Sequence, residues 1–173
     1  MKSLNYIDLF AGAGGLSEGF IRAGFAPVCH VEMNSEACNT LKTRTAFHYL
    51  KSINKLDLYY DYLKGRITRD ILWQCIPEKL IKSIINTEIS DKTLPGIFKI
   101  TDDILLGQEV DLIIGGPPCQ AYSIAGRARD PKGMTDDPRN HLYLYYIEFL
   151  KKYNPKMFVF ENVPGILSAA NGI

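Results

Sequence analysis

The stretch NYIDLFAGAGGLSEGF, residues 5 to 20, limits the possible fold more than any other part of the chain. NYIDLF is a short β-branched and aromatic run, AGAGG cannot prolong a strand, and the following LSEGFIRAGF sets Leu16, Phe20 and Ile21 on one helical face. Strand, glycine turn and helix therefore follow in that order. PVCHVEMN reads as a second strand ending in an acid, and SEACNTLKTRTAFHYL as a helix with Ser35 as its N-cap. A strand–helix–strand unit of this kind implies parallel strands joined by a right-handed crossover.

GIFKITDDIL, VDLIIGGPP and KMFVFENV read as three further strands, and LYLYYIEFLKKY as the helix before the last. The segment from about 50 to 96 has helical periodicity broken at Gly65 and Pro77, so it is expected to be an inserted set of short helices. The fold class is α/β: a Rossmann-like, doubly wound, mainly parallel sheet with a helical insertion. At 173 residues and 46% hydrophobic content, residues 1–173 suffice for one domain with a real core. ENVPGILSAANGI stops just after a strand and its turn, without the strands that ordinarily close such a sheet, so the chain is expected to be a truncated one.

No apolar run approaches the roughly 20 residues needed to span a bilayer, and MKSLNYIDLF lacks the parts of a secretory signal, so a cytoplasmic protein is expected. The four cysteines form no CxxC pair and the three histidines do not cluster with them, which argues against structural metal and a disulfide framework. A net charge of +1 says nothing about a polyanionic partner. Bases outnumber acids between Lys42 and Lys99, for which a solvated helical surface is the ordinary explanation.

Gly12, Gly14 and Gly15, with Ala13 among them, stand where the first strand turns into its helix. Glycines there let a ligand approach the backbone, although tight strand–helix packing alone also calls for them. Glu32 lies twenty positions after Gly12, where a carboxylate can accept from both ribose hydroxyls. The dinucleotide fingerprint needs a glycine at position 17, which is Ser17, so the match to NAD is incomplete. Phe10 can pack on a nucleoside, and Asp102 or Asp103, after the expected third strand, can accept from an adenine amino group. Acids with no nearby lysine or arginine suit S-adenosylmethionine, which has ribose and adenine but no pyrophosphate.

The run GGPPCQAYS, residues 115 to 123, places Cys119 just beyond the apolar strand VDLII, on a loop stiffened by Pro117 and Pro118. Such a loop can hold a nucleophile, whereas Cys29, Cys38 and Cys75 sit in ordinary core sequence. MFVFENV ends in Glu161 and Asn162, which emerge at the same sheet edge, where an acid can act as a proton donor, or where the two simply form a capped turn with Pro164.

FAGAGG, VEMN, GGPPCQAYS, DDPRNHLYLYY and ENVPG, in that order, resemble the first motifs of the cytosine-C5 DNA methyltransferase family. The resemblance covers nearly the whole chain apart from the helical insertion. It implies that Cys119 is the nucleophile that adds to C6 of a flipped-out cytosine, that Glu161 contacts the ring at N3 and its amino group, and that Asn162 holds the Cys119 loop. It further implies that Phe10, Ala13, Glu32, Met33, Asp103, Ile104, Pro118 and Leu142, with the glycine turn, line the S-adenosylmethionine pocket, S-adenosylhomocysteine being the product. AYSIAGRARDPKGMTDDPRN is similar to the family's loop that closes over the base, with Ser123, Arg127, Arg129 and Arg139 as its DNA-contacting residues. The implied partners are double-stranded DNA and a missing C-terminal half or partner subunit, the latter because the family's later motifs and target-recognition region are absent from these residues. The implied setting is a restriction–modification system, and the isolated chain is expected to be weakly active or inactive. A related RNA cytosine-C5 methyltransferase and a non-catalytic cofactor-binding subunit are the alternatives; a dehydrogenase is the least favoured.

Overall fold

The structure is a computed structural model, and it describes residues 3–118 and 141–163. Twelve elements follow in the order β1 (Asn5–Leu9), α1 (Gly15–Arg22), β2 (Ala26–Glu32), α2 (Ser35–Ser52), α3 (Leu56–Leu63), α4 (Arg69–Gln74), α5 (Glu78–Lys82), β3 (Ile84–Asn86), α6 (Leu94–Leu105), β4 (Leu112–Gly115), α7 (Leu142–Tyr153) and β5 (Met157–Phe160). The sheet order is β3-β2-β1-β4-β5, and all four pairings are parallel. The chain winds outward first to one side of β1 and then to the other, so the switch point lies between β1 and β4.

The alternation of side chains along β1 divides the core into two layers. Tyr6 joins Leu112 and Ile114 beneath Leu16, Phe20 and Ile21 of α1, the face expected from their spacing. Ile7 and Leu9 point the other way, into a layer closed by Ile97 and Leu105 of α6 and by Tyr146 and Phe149 of α7. The Tyr146 hydroxyl donates to both Ile113 O (2.9 Å) and Val159 O (3.0 Å), which pins α7 across β4 and β5.

The third strand is not where the sequence pattern put it. GIFKITDDIL belongs to α6: Ile97, Thr101 and Leu105, four residues apart, are its buried positions, and Pro95 sits in the first turn. The β-branched residues of IFKIT imitate a strand, but Ile97 and Thr101 are buried while Lys99 and Ile100 face solvent, which is the spacing of a helix. The sheet's third strand is the three-residue run Ile84–Asn86, inside the segment assigned to the helical insertion. The short helices α3, α4 and α5 therefore end at Lys82, and they close a satellite core of Ala46, Leu50, Leu72 and Ile76 against α2. The N-cap of α2 is likewise Asn34 and not Ser35, its side chain accepting from Ala37 N at 2.9 Å.

Glu18, in the first turn of α1, joins that helix to α2. Its carboxylate accepts from Arg22 Nε (2.7 Å), Arg44 Nη2 (2.6 Å) and His48 Nε2 (2.9 Å). Burial raises the Glu18 carboxyl, but the hydrogen bonds from His48 and Arg22 and the charges of His48 and Arg44 outweigh it and hold it at about 2, below the ordinary 4.5. A lowered folded-state value means stabilisation that is complete above pH 4.5 and lost as the pH falls towards 2. Glu18→Gln is expected to cost about 1–2 kcal/mol at neutral pH, the scale of a few charge-assisted hydrogen bonds. Urea unfolding followed from pH 7 to pH 2.5 checks it: the variant's stability should fall less steeply below pH 4.5 than the wild type's.

Candidate functional site

The C-terminal ends of the strands form one rim. Just past β1, Phe10 has a φ of 56° and Gly12 one of 53°, so the chain turns sharply away from the sheet before Gly14, at φ 82°, caps α1. For a phenylalanine that backbone is strained, a feature that concentrates at ligand sites. A Cβ on Gly14 would also stand 2.7 Å from Leu41 Cδ2, so this second glycine of the turn serves close packing on α2.

Glu32 closes β2 and is held from both sides. Its Oε2 accepts from Gly12 N (2.8 Å) and its Oε1 from Asn34 N (2.7 Å). Two backbone donors fix the carboxylate and leave each oxygen a free lone pair for a ligand hydroxyl. The end of β3 is latched to the same place, because Thr87 N donates to Glu32 O (3.0 Å) and Asn86 Nδ2 donates to Glu32 O (3.1 Å) and Met33 O (3.0 Å).

These ends enclose a cleft of about 310 Å³. Of the expected cofactor residues, Phe10, Glu32, Met33, Pro118 and Leu142 line it. Gly12, Ala13, Gly14 and Gly15 form the turn beside it without lining it. Asp103 and Ile104 do not belong to it: both lie on α6, where Asp103 is exposed, Ile104 packs on the core and the adjacent Asp102 pairs with Lys152. The acid beyond the true third strand is Glu88, which lines the cleft with Thr87, Ile89 and Ser90. Its signal in the sequence was an acid shortly after a β-branched pair, in IINTE. Tyr145 was missed as well; it lines the cleft from α7, and its hydroxyl accepts from Asp91 N (3.2 Å).

Among the described residues, the lining thus carries two carboxylates and no lysine or arginine. Such a cleft repels a pyrophosphate and tolerates a cation. It fits an adenosine bearing a sulfonium: aromatic and apolar walls for the base, a fixed carboxylate for the ribose.

The doubled glycine of GGPP has two separate causes. Gly115 belongs to β4, and a Cβ there would meet the backbone oxygen of Leu9 at 2.5 Å. Gly116 stands under the next strand end, where a Cβ would meet Glu161 Oε2 at 2.5 Å. Glu161 N donates to Gly115 O (2.9 Å), so the exposed Glu161 leaves β5 with its carboxylate resting on Gly116, next to the cleft that Gly116 and Pro118 line. Asn162 follows at the same edge, its side-chain oxygen accepting from Val163 N (2.8 Å). Cys119 and the loop residues Ser123, Arg127, Arg129 and Arg139 lie outside the described residues.

Gly116→Ala is expected to push the Glu161 carboxylate aside by about 1 Å, because a Cβ would otherwise stand 2.5 Å from Oε2. The contact is with the end of a flexible side chain, so the melting temperature should stay nearly unchanged. A crystal structure of the variant beside thermal melts checks this, and an unmoved Glu161 carboxylate contradicts it.

Two other thiols are accounted for by burial. Cys29 is fully buried beside Thr101, and burial pushes its thiol up to about 12, while burial also raises Cys38. Neither forms a thiolate readily. Cys75, partly buried, donates to Ile71 O (3.2 Å) at the end of α4, remote from the rim in the fold order. Among the described residues no group of acids, histidines and cysteines is arranged to hold a metal ion, and no helix is long and apolar enough to cross a membrane.

Comparison with known proteins agrees with the motif order. The family model for C-5 cytosine-specific DNA methylases matches residues 4–77 and 78–173. The chain is 44% identical to the type II methyltransferase M.Bpa9945I of Bacillus paralicheniformis over 96% of its own length and 42% of that protein's. It is 36% identical to the type II methyltransferase M.AquIA of a Picosynechococcus strain, over 96% of its own length and 51% of that protein's. A crystal structure of a prophage-encoded E. coli protein, described as a DNA modification methyltransferase, superposes with a TM-score of 0.53 at 29% identity, covering 96% of this chain and 34% of that one. The chain spans about half or less of the length of these relatives. The matched model covers nearly every residue from the glycine turn to the strand that ends in Glu161, and the chain belongs to the family of C-5 cytosine-specific DNA methylases.

Proposed function

We propose that this chain is the cofactor- and cytosine-handling portion of a DNA (cytosine-5-)-methyltransferase of restriction–modification type. The observation that carries the reading is the cleft at the β1/β4 switch point, with Glu32 fixed by Gly12 and Asn34, Glu88 also in the lining and no cation among its described residues. S-adenosylmethionine bound there supplies an electrophilic methyl group. Glu32 would accept from the ribose hydroxyls, Phe10 and Leu142 would flank the base, and the paired acids would favour the sulfonium charge.

C5 of cytosine is a poor nucleophile until a group adds at C6 and turns the ring into an enamine. Cys119 supplies that group as a thiolate, which attacks well and leaves well. Its sequence position supports the role, since it follows Pro118 directly and Pro118 lines the cleft. Glu161 holds a proton at N3 as the ring gains electron density, and Asn162 steadies the loop. C5 then takes the methyl group, a base removes the C5 proton and the Cys119–C6 bond breaks. The target must leave the helical stack first, and Ser123, Arg127, Arg129 and Arg139 would meet the flanking DNA backbone. Residues of the kind that the relatives carry beyond the matched span would complete the DNA-reading surface, so turnover by this chain alone should be slow.

Incubation with a tritiated methyl donor, duplex DNA and tRNA tests the reading. Label in 5-methylcytosine of DNA above that of a Cys119→Ser control supports it; label in tRNA alone would establish the RNA enzyme in its place.

A further inference from the structure

The helices between the second and third strands have no part in the site described, yet their charge is set apart from the rest of the chain. Residues 42 to 82 hold nine lysines and arginines against four aspartates and glutamates, a net of +5, so the remainder of the chain carries −4. A charge excess of that size in so short a segment works against compactness through self-repulsion and commonly reflects a polyanionic partner. Arg44, Arg66 and Lys82 are paired, with Glu18, Asp61 and Glu78. Among the described residues, the other six basic side chains form no ion pair.

Three of those six rest on aromatic rings. Lys42 Nζ stands 5.1 Å and Arg69 Cζ 5.0 Å from the centre of the Trp73 ring, and Lys51 Nζ stands 6.0 Å from that of Phe47. Trp73 is itself tied to α2 by its indole N–H, which donates to Thr43 Oγ1 at 3.4 Å. A cation on a ring face keeps its N–H donors for a second partner while losing much of its freedom. Lys42 and Arg69 are held at most about 10 Å apart by the shared indole, a span of roughly three base steps at 3.4 Å each. Lys42 lies seven residues into α2, so about 10 Å along the helix from the rim where Glu32 and Met33 stand.

We propose that the flank formed by α2, α3 and α4, centred on Lys42, Trp73 and Arg69, is a sequence-independent contact surface for the phosphate backbone of duplex DNA. This rests on DNA being the substrate: α2 starts at the rim, so a duplex held there comes within about 10 Å of Lys42. Lys55 and Lys64, exposed and without ion pairs, extend the surface at the two ends of α3. Each phosphate contact adds affinity by releasing a condensed counterion, independently of base sequence.

Binding of the whole 173-residue chain to a fluorescent duplex of arbitrary sequence, measured by anisotropy between 25 and 200 mM salt, tests the proposal. For K42Q/R69Q the plot of log affinity against log salt should be shallower by about 2 than for the wild type, with affinity at 100 mM salt lower by about tenfold or more. K42R/R69K, which keeps the charges, should retain the wild-type slope. K55Q/K64Q changes only exposed side chains and should also flatten the slope, which guards against a folding defect in the first variant. S-adenosylmethionine affinity should be the same in all three. Unchanged slopes in both neutralised variants overturn the proposal while leaving the DNA reading intact. A wild-type chain that binds tRNA and not the duplex overturns both.

Discussion

Glu32→Ala is expected to weaken binding of S-adenosylmethionine to this chain by about 100-fold or more, the effect of two hydrogen bonds to a charged acceptor at about 1.5–3 kcal/mol each. The carboxylate is already oriented by Gly12 N and Asn34 N, so a ribose gains both bonds without paying for ordering the acceptor. Removing it also leaves those two N–H groups without their acceptor and loosens the glycine turn. Glu32→Gln separates the contributions, because its amide oxygen can serve one donor while its NH₂ faces the other. Calorimetric titration should give an affinity for Glu32→Gln between those of the wild type and Glu32→Ala. Equal affinities for all three proteins contradict the assignment of the ribose to this carboxylate.

Cys119→Ser is expected to abolish covalent capture of a duplex containing 5-fluorocytosine in the presence of S-adenosylmethionine, since after methylation the fluorine at C5 blocks the final elimination and a hydroxyl does not add to C6 at a useful rate. A mismatch opposite the 5-fluorocytosine lowers the cost of extruding the base and so makes the capture easier to detect. The wild-type chain should form one adduct, and peptide mapping should place it on Cys119. Burial keeps Cys29 and Cys38 protonated, so neither should be modified. An adduct that persists in Cys119→Ser, or one mapped to Cys75, contradicts the proposed nucleophile.

The parts of the fold that were legible in the sequence are those whose pattern has one physical reading. NYIDLF before a glycine turn, VDLII before GGPP and KMFVF before Glu161 are short, mainly apolar runs closed by a turn, and each is a strand, although Met157 and Phe158 of the edge strand β5 are exposed. The segment from 84 to 105 was misread because its local and tertiary signals conflict. Ile84–Asn86 is too short to show a period, while IFKIT imitates alternation although its buried positions recur every fourth residue. That single misreading put the acid beyond the third strand at Asp103, with Ile104 beside it, whereas both lie on α6 and the acid that lines the cleft is Glu88. Residues that meet only through the tertiary fold left no mark in the chain: the Glu161 carboxylate over Gly116, the Tyr145 hydroxyl on Asp91 N and Lys42 on Trp73 each join distant segments. The acids at the ends of β2 and β5 were legible because parallel topology brings every strand's C-terminal end to the same edge.

The most direct test of the central claim is a paired calorimetric titration of the wild-type chain with S-adenosylmethionine and with NAD. A cleft with Glu32 and Glu88 in its lining and no basic side chain should bind the sulfonium cofactor at one site and give no heat with the pyrophosphate-bearing one. Saturable binding of NAD, or no binding of S-adenosylmethionine at millimolar concentration, would contradict it.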